Sequence, residues 1–307
     1  MMNRAVWISI VIALAAGMGL AVSSSQAGPM GWGDLLGRPR PSGQINISYG
    51  SDPLQVGDLW LPKQKGPLPV VVMIHGGCWQ TDIADRSIMD WAAADLAAQG
   101  IAVWNIDYRG VDRPGGGYPG TFLDVAAAVD HLAKIAPTYG LDTGQIVATG
   151  HSAGGHLALW LAGRQKLPEG SVLRNAKSTK ITAVIASGSL PDLQAAQALP
   201  GNDCGRTGVP GLVGTPQSGR ADVFADTSVP RLLPLGVRQI LVNGSLDRIA
   251  PTSLAASYVA QARVAGETVE YVEIPATGHV ELIAPGAAAW TRQVALIKSA
   301  LGVAPAR

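Results

Sequence analysis

Ser152 stands in Gly150-His151-Ser152-Ala153-Gly154, a G-x-S-x-G pentapeptide that can present a hydroxyl nucleophile. The chain holds 38 glycines in 307 residues, so the pentapeptide alone says little. Its placement says more. It lies between a β-branched run at 145–149 and the apolar helical stretch AGGHLALWLAG, where a tight strand-to-helix turn projects the side chain. A second constellation, His75-Gly76-Gly77-Cys78-Trp79, follows the apolar run 69–74. Acyl transfer builds negative charge on a former carbonyl oxygen, and each backbone amide aimed at that oxygen is worth about 10²–10³ in rate. Gly76, Gly77 and Cys78 are the candidate donors, with His75 positioning the turn.

A serine nucleophile needs a base, and the chain offers His75, His131, His151, His156 and His279. His131 falls inside a helical stretch, on its solvent side, while His151 and His156 flank Ser152 too closely to face its hydroxyl. His279 lies in Pro275-Ala276-Thr277-Gly278-His279, a loop after the last strand run, and is the base by elimination. A carboxylate must then fix the imidazole tautomer. Asp247 follows the buried run 239–243 and is the first choice; Asp192, after the run 181–187, is the alternative. No Cys/His cluster has zinc spacing, so no metal is expected, and the chemistry needs no cofactor.

These groups require elements that bring strand ends together. Alternating runs at 45–49 and 55–60 predict an antiparallel edge. The continuous apolar run at 69–74 predicts a strand buried on both faces, and 101–106, 145–149, 181–187, 239–243 and 268–274 read as further strands. Between them, helices are expected over 86–99, 120–135 (broken near Pro137), 153–163, 253–265 and 286–301. The alternation means an α/β fold with a mostly parallel eight-stranded sheet and helices on both faces, whose ligands sit at the carboxyl ends of the strands. Residues 28–44 read as an extended lead-in to a domain over 45–307. Residues 188–236, weakly periodic, read as a short lid-like insertion over the site that sets pocket depth.

From 45 to about 303 the chain resembles the α/β-hydrolases, in their esterase/lipase branch. The motifs are HGGCW at 75–79, DYRG at 107–110, GHSAGGH at 150–156, SLDRIAP around Asp247 and GHVELI at 278–283. Nucleophile, acid and base also run in that family's order. HGG followed by x-W is similar to kynurenine-formamidase-like and feruloyl/acetylxylan-esterase-like members. The resemblance implies a Ser152–Asp247–His279 triad, an oxyanion hole from amides near Gly76–Cys78 and at Ala153, and structural roles for Asp107 and Asp192. Cys78 departs from the pattern, standing where an aromatic or other side chain often sits. The 188–236 stretch matches no one subfamily's lid.

With 23 basic against 22 acidic residues and no basic block, the chain lacks the electrostatic footprint of a nucleic-acid binder. Arg4, an apolar run over 5–22 and small residues before a cut after Ala27 read as a secretory signal over 1–27. The expectation is an exported protein, periplasmic or secreted; an uncleaved segment would instead anchor it to the membrane. Cys78 and Cys204 are expected to be two buried thiols, because two cysteines do not make a disulfide framework; a Cys78–Cys204 bond, which export permits, is the alternative. The expected reaction is hydrolysis of carboxylic esters, small-molecule or polysaccharide-linked. The alternative is an arylformamidase cleaving a formamide by the same steps.

Overall fold

The computed structural model describes residues 28–175 and 177–303; the expected signal segment, 1–27, lies outside them. The chain begins with the short helix α1 (Trp32–Leu36), then the strands β1 (Ile45–Ser48), β2 (Val56–Trp60) and β3 (Leu68–Ile74). Next come α2 (Asp90–Ala98), β4 (Ala102–Ile106), α3 (Gly120–Tyr139), β5 (Leu141–His151), α4 (Ala153–Ala162) and β6 (Ala183–Ser187). The helices α5 (Leu193–Ala198) and α6 (Asp203–Val213) precede β7 (Arg238–Gly244), α7 (Thr252–Val264), β8 (Val269–Ile274) and α8 (Ala288–Ala300).

The strands form one sheet in the order β1-β2-β4-β3-β5-β6-β7-β8. The β1–β2 and β2–β4 pairs are antiparallel, and the other pairs are parallel. Each continuous apolar run feeds two cores, because successive side chains point to opposite faces. In β3, Val70, Val72 and Ile74 pack with Phe122 of α3, Leu157 of α4 and Tyr258 of α7. Val71 and Met73 pack on the other face with Leu35 of α1, Leu96 of α2 and Ile297 of α8. The parallel register sets Ile74 beside Gly150, His151 beside Ser187 and Gly244 beside Ile274, so the strand exits open on one edge. This is the mostly parallel, eight-stranded α/β sheet expected from the strand pattern, and the architecture that the resemblance to α/β-hydrolases implies.

Several expectations need correction. The lead-in is not wholly extended: α1 lies within it and buries Leu35. The helix expected to break near Pro137 continues to Tyr139. Proline removes only the bond to the Ala133 carbonyl, and Gly140 at φ 65° closes the helix by donating to the Ala136 carbonyl. Strand β5 starts at Leu141, because Leu141 and Asp142 pair with Leu68 and Pro69 before the register shifts.

In the 188–236 stretch, α6 was hidden by glycine, a poor helix former. A Cβ at Gly205 would meet the Ala196 carbonyl oxygen, one at Gly208 the Cys78 carbonyl oxygen and one at Gly211 the Val111 side chain. Glycines at i, i+3 and i+6 therefore give α6 a bare face that presses onto α5 and onto the turn after β3. That contact corrects the reading of the cysteines as free thiols. Cys78 and Cys204 are disulfide-bonded, with Cα atoms 4.9 Å apart and a sequence separation of 126.

A chain carrying Cys78→Ser and Cys204→Ser together is expected to unfold at lower urea, with stability reduced by about 2–5 kcal/mol. Equal urea midpoints for parent and variant would show that the bond adds no stability.

Candidate active site

Ser152 occupies the single step between β5 and α4, at φ 56° and ψ −124°. A non-glycine residue there costs about 1–3 kcal/mol, and the strain persists because the surroundings fix it. Flanking glycines make the turn possible. A Cβ on Gly150 would lie 2.1 Å from the Gly154 carbonyl oxygen. One on Gly154 would lie 2.2 Å from the Ile74 carbonyl oxygen. The Ser152 amide donates to the Ser187 carbonyl across the β5–β6 edge at 2.9 Å.

Beyond β3 the backbone turns sharply, with Gly77, Cys78 and Trp79 at φ 100°, 53° and 58°. Among the described residues, the amides of Gly76, Gly77, Cys78 and Ala153 meet no protein acceptor. His75 sits behind this turn. Its Nε2 lies 3.0 Å from Asp107 Oδ1, its Nδ1 lies 2.7 Å from the Gly76 carbonyl oxygen, and Tyr108 stacks on its ring. Arg86 donates to both Asp107 and Asp58, tying the turn to β2 and β4. These contacts give Asp107 a structural position and hold His75 in place as an anchor.

Asp247 follows β7 and His279 follows β8. His279 Nδ1 donates to Asp247 Oδ2 at 2.6 Å, while Asp247 Oδ1 accepts the Ile249 and Ala250 amides at 2.9 Å each. A carboxylate at Nδ1 fixes the tautomer and leaves the Nε2 lone pair unprotonated. Asp192 is elsewhere. Its Oδ1 caps α5 by accepting the Ala195 amide, and its Oδ2 accepts from Gln261 of α7. The geometry thus sets Asp247, rather than Asp192, beside the histidine.

Ser152, His279, Gly77 and Cys78 line one cavity of about 210 Å³, walled by Trp32, Leu36, Ile83, Ala84, Ile88, His151 and Ile249. No residue of 188–236 lines it, so the expectation that this stretch sets the pocket's depth gives way to a wall from α1. Helix α6 instead braces the turn after β3 through Cys204 and Gly208, and is itself backed by α5 at Gly205. Among the described residues, no group of three or more His, Cys, Asp or Glu side chains could hold a metal ion.

Four residues around the site, Gly188, His151, His156 and Trp32, were given no role by the sequence reading. Gly188, at φ 50°, lies so close that a Cβ would meet His279 Nδ1 at 2.9 Å and Asp247 Oδ2 at 3.0 Å. His151 is fully buried, donates from Nε2 to the His279 carbonyl at 3.0 Å, and sets its ring 4.2 Å from the His279 ring. Burial, with the nearby His279 adding to it, holds His151 well below the ordinary histidine range, so it stays neutral. His156, also fully buried, donates to the Thr227 carbonyl and is pushed down to about 4 by desolvation. Trp32 presents its edge to both His151 and His279. Gly188, one residue past the strand run at 181–187, was the signal available for the first of these.

Comparison with known proteins gives concordant relatives. The BD-FAE family model matches residues 58–255. Esterase LipC of Mycobacterium tuberculosis is 31% identical over 263 residues, covering 76% of this chain and 58% of LipC, so the chain spans little over half of that relative's length. A probable isoprenylcysteine alpha-carbonyl methylesterase ICME of Oryza sativa subsp. japonica is 33% identical over 114 residues, 37% of this chain and 27% of that one. Among solved structures, a truncated carbohydrate esterase from gut microbiota superposes with TM-score 0.71 at 21% identity, covering 90% of this chain and all of that one. Thermogutta terrifontis esterase 2 phosphonylated by sarin gives TM-score 0.71 at 20% identity, over 87% and 99% of the two chains. At these identities the structural likeness speaks for the fold.

Asp247→Asn is expected to lower kcat on p-nitrophenyl acetate by about 10⁴-fold with little change in KM. Asp192→Asn, which weakens a helix cap, is expected to cost about 1 kcal/mol of stability and leave kcat near the parent value. The opposite ranking in steady-state kinetics would transfer the acid role to Asp192.

Proposed function

The chain belongs to the BD-FAE family, and we propose that it is a serine hydrolase of carboxylic esters acting through Ser152, Asp247 and His279. One observation carries the reading. The strained serine, the unpartnered amides of the turn after β3 and His279, itself held by Asp247, line a single cavity. The esterase relatives support ester chemistry. The mechanism follows from the positions. His279 Nε2 takes the Ser152 proton as the oxygen attacks the ester carbonyl, and Asp247 stabilises the imidazolium. The new oxyanion rests on the amides of Gly77, Cys78 and Ala153, which are fixed in place before the reaction. His279 then protonates the departing alcohol, and water, activated by the same base, releases the acid from the acyl-enzyme.

We also propose that the protein is exported after loss of its first 27 residues. The N-terminal pattern supports this, and so does the Cys78–Cys204 bond, since such bonds persist in oxidising compartments. Its substrates are then esters met outside the cytoplasm, small or attached to polysaccharide.

A fluorophosphonate probe is expected to label the parent protein stoichiometrically and Ser152→Ala not at all. His279→Ala is expected to keep its fold and lose at least about 10⁴-fold in kcat. Equal labelling of parent and Ser152→Ala would overturn the nucleophile. Faster turnover of N-formylkynurenine than of p-nitrophenyl acetate would move the reaction from ester to formamide.

A further inference from the structure

The cavity's outer wall comes from a segment upstream of the core. Trp32 lies on α1, before the span 58–255 that the family model matches. This segment is fastened down. The Met30 amide donates to Glu281 Oε1 and Arg38 Nη1 donates to the Pro285 carbonyl, both at 2.7 Å. Trp91 Nε1 donates to the Pro39 carbonyl at 3.0 Å, and Leu35 is fully buried. Trp32 is therefore held at a fixed place, edge-on to His279 with ring centroids 6.3 Å apart.

Two spaces meet at that indole. One is the closed cavity of about 210 Å³ containing Ser152, Gly77 and Cys78. The other is a more open groove of about 650 Å³ that contains Asp247, Arg248 and Gly278 but not Ser152 or the turn after β3. Trp32, Ile249 and His279 line both, so Trp32 and Ile249 partition the space around the histidine. The partition matches the chemistry of ester cleavage. His279, whose Nε2 protonates the alcohol oxygen beside Ser152, lines both spaces, so the alcohol side can extend past it into the groove. The acyl carbon is held between Ser152 and the amides of Gly77 and Cys78, which places the acyl chain in the closed cavity.

That cavity is apolar: no Asp, Glu, Lys or Arg lines it, and of its two histidines His151 is held neutral by burial. Leu36, Ile83 and Ile249 stand exposed on its rim, 46%, 57% and 37% accessible, so the mouth of the cavity is apolar as well. A dry cavity of about 150 Å³ accepts benzene, so this one takes a group only modestly larger, about four to six carbons or one phenyl ring.

Resting on the serine-esterase reading above, we propose that Trp32 is a specificity-determining residue: it closes the acyl pocket and limits it to short, uncharged acyl groups. Removing the indole merges the closed cavity with the open groove and gives a longer chain somewhere to go. The full chain is assayed with p-nitrophenyl acetate, butyrate, hexanoate, octanoate and decanoate. The parent's kcat/KM is expected to peak at butyrate or hexanoate and to fall about tenfold or more by decanoate. Trp32→Ala is expected to raise the decanoate-to-butyrate ratio of kcat/KM by about tenfold, and Trp32→Phe to restore most of the parent ratio. Leu36→Trp, which adds bulk at the rim, is expected to shift the peak towards acetate. A ratio of kcat/KM values cancels any common loss from a disturbed His279, so a merely structural role for Trp32 leaves it unchanged. If the parent labels with fluorophosphonate and Trp32→Ala keeps the parent ratio within about twofold, the wall assignment falls alone. If the parent does not label, the serine reading falls and takes the assignment with it.

Discussion

Close backbone-to-backbone approach between β3, β5 and α4 is the constraint on which the site depends. Gly150 and Gly154 let the start of α4 press against the end of β5 and against the Ile74 carbonyl, with no side chain between them. That contact forces the residue between strand and helix into a conformation an L-residue rarely adopts, and it is Ser152 that is forced there. The same approach brings the turn after β3 next to the serine, since a Cβ on Gly76 would touch Ser152 Cβ at 2.9 Å. Larger side chains at these positions would separate strand from helix, and with them the hydroxyl from the amides.

Around this fixed centre the remaining parts are held in layers. Asp247 spends one oxygen on backbone amides and the other on His279, so its carboxylate is oriented before the histidine leans on it. Gly188 leaves room for that pair, and His151 supports His279 from behind through its carbonyl. The neutral state of His151 matters electrostatically. A second cation 4.2 Å from the base would oppose the imidazolium that the reaction forms, and burial prevents it.

How much of this could be read from the chain depends on how local each signal is. The sheet was legible because runs such as 69–74 are apolar at every position, which only a strand covered on both faces tolerates. Ser152, Asp247 and His279 stood out as polar groups at the ends of such runs. Helix α6 was not legible, since its glycines at 205, 208 and 211 read as loop until one sees what they press against. The Cys78–Cys204 bond followed from that same contact and was hidden with it. The role of Trp32 was hidden by distance. Five helical residues among glycines and prolines look like a tether, and the contacts that give them a place are with Glu281 and Pro285, about 250 residues on.

That fastening joins the two ends of the described chain beside the site. On the proposed reading, the sheet from β2 to β7 carries the nucleophile, the acid and the anion cradle, whereas the fence around the acyl group is grafted from the opposite direction, upstream of β1. Reactivity and selectivity are thus encoded in separable stretches of sequence. Changes near residue 32 can retune which substrates enter without disturbing a single strand pairing, so the enzyme's diet can drift while its chemistry stays put.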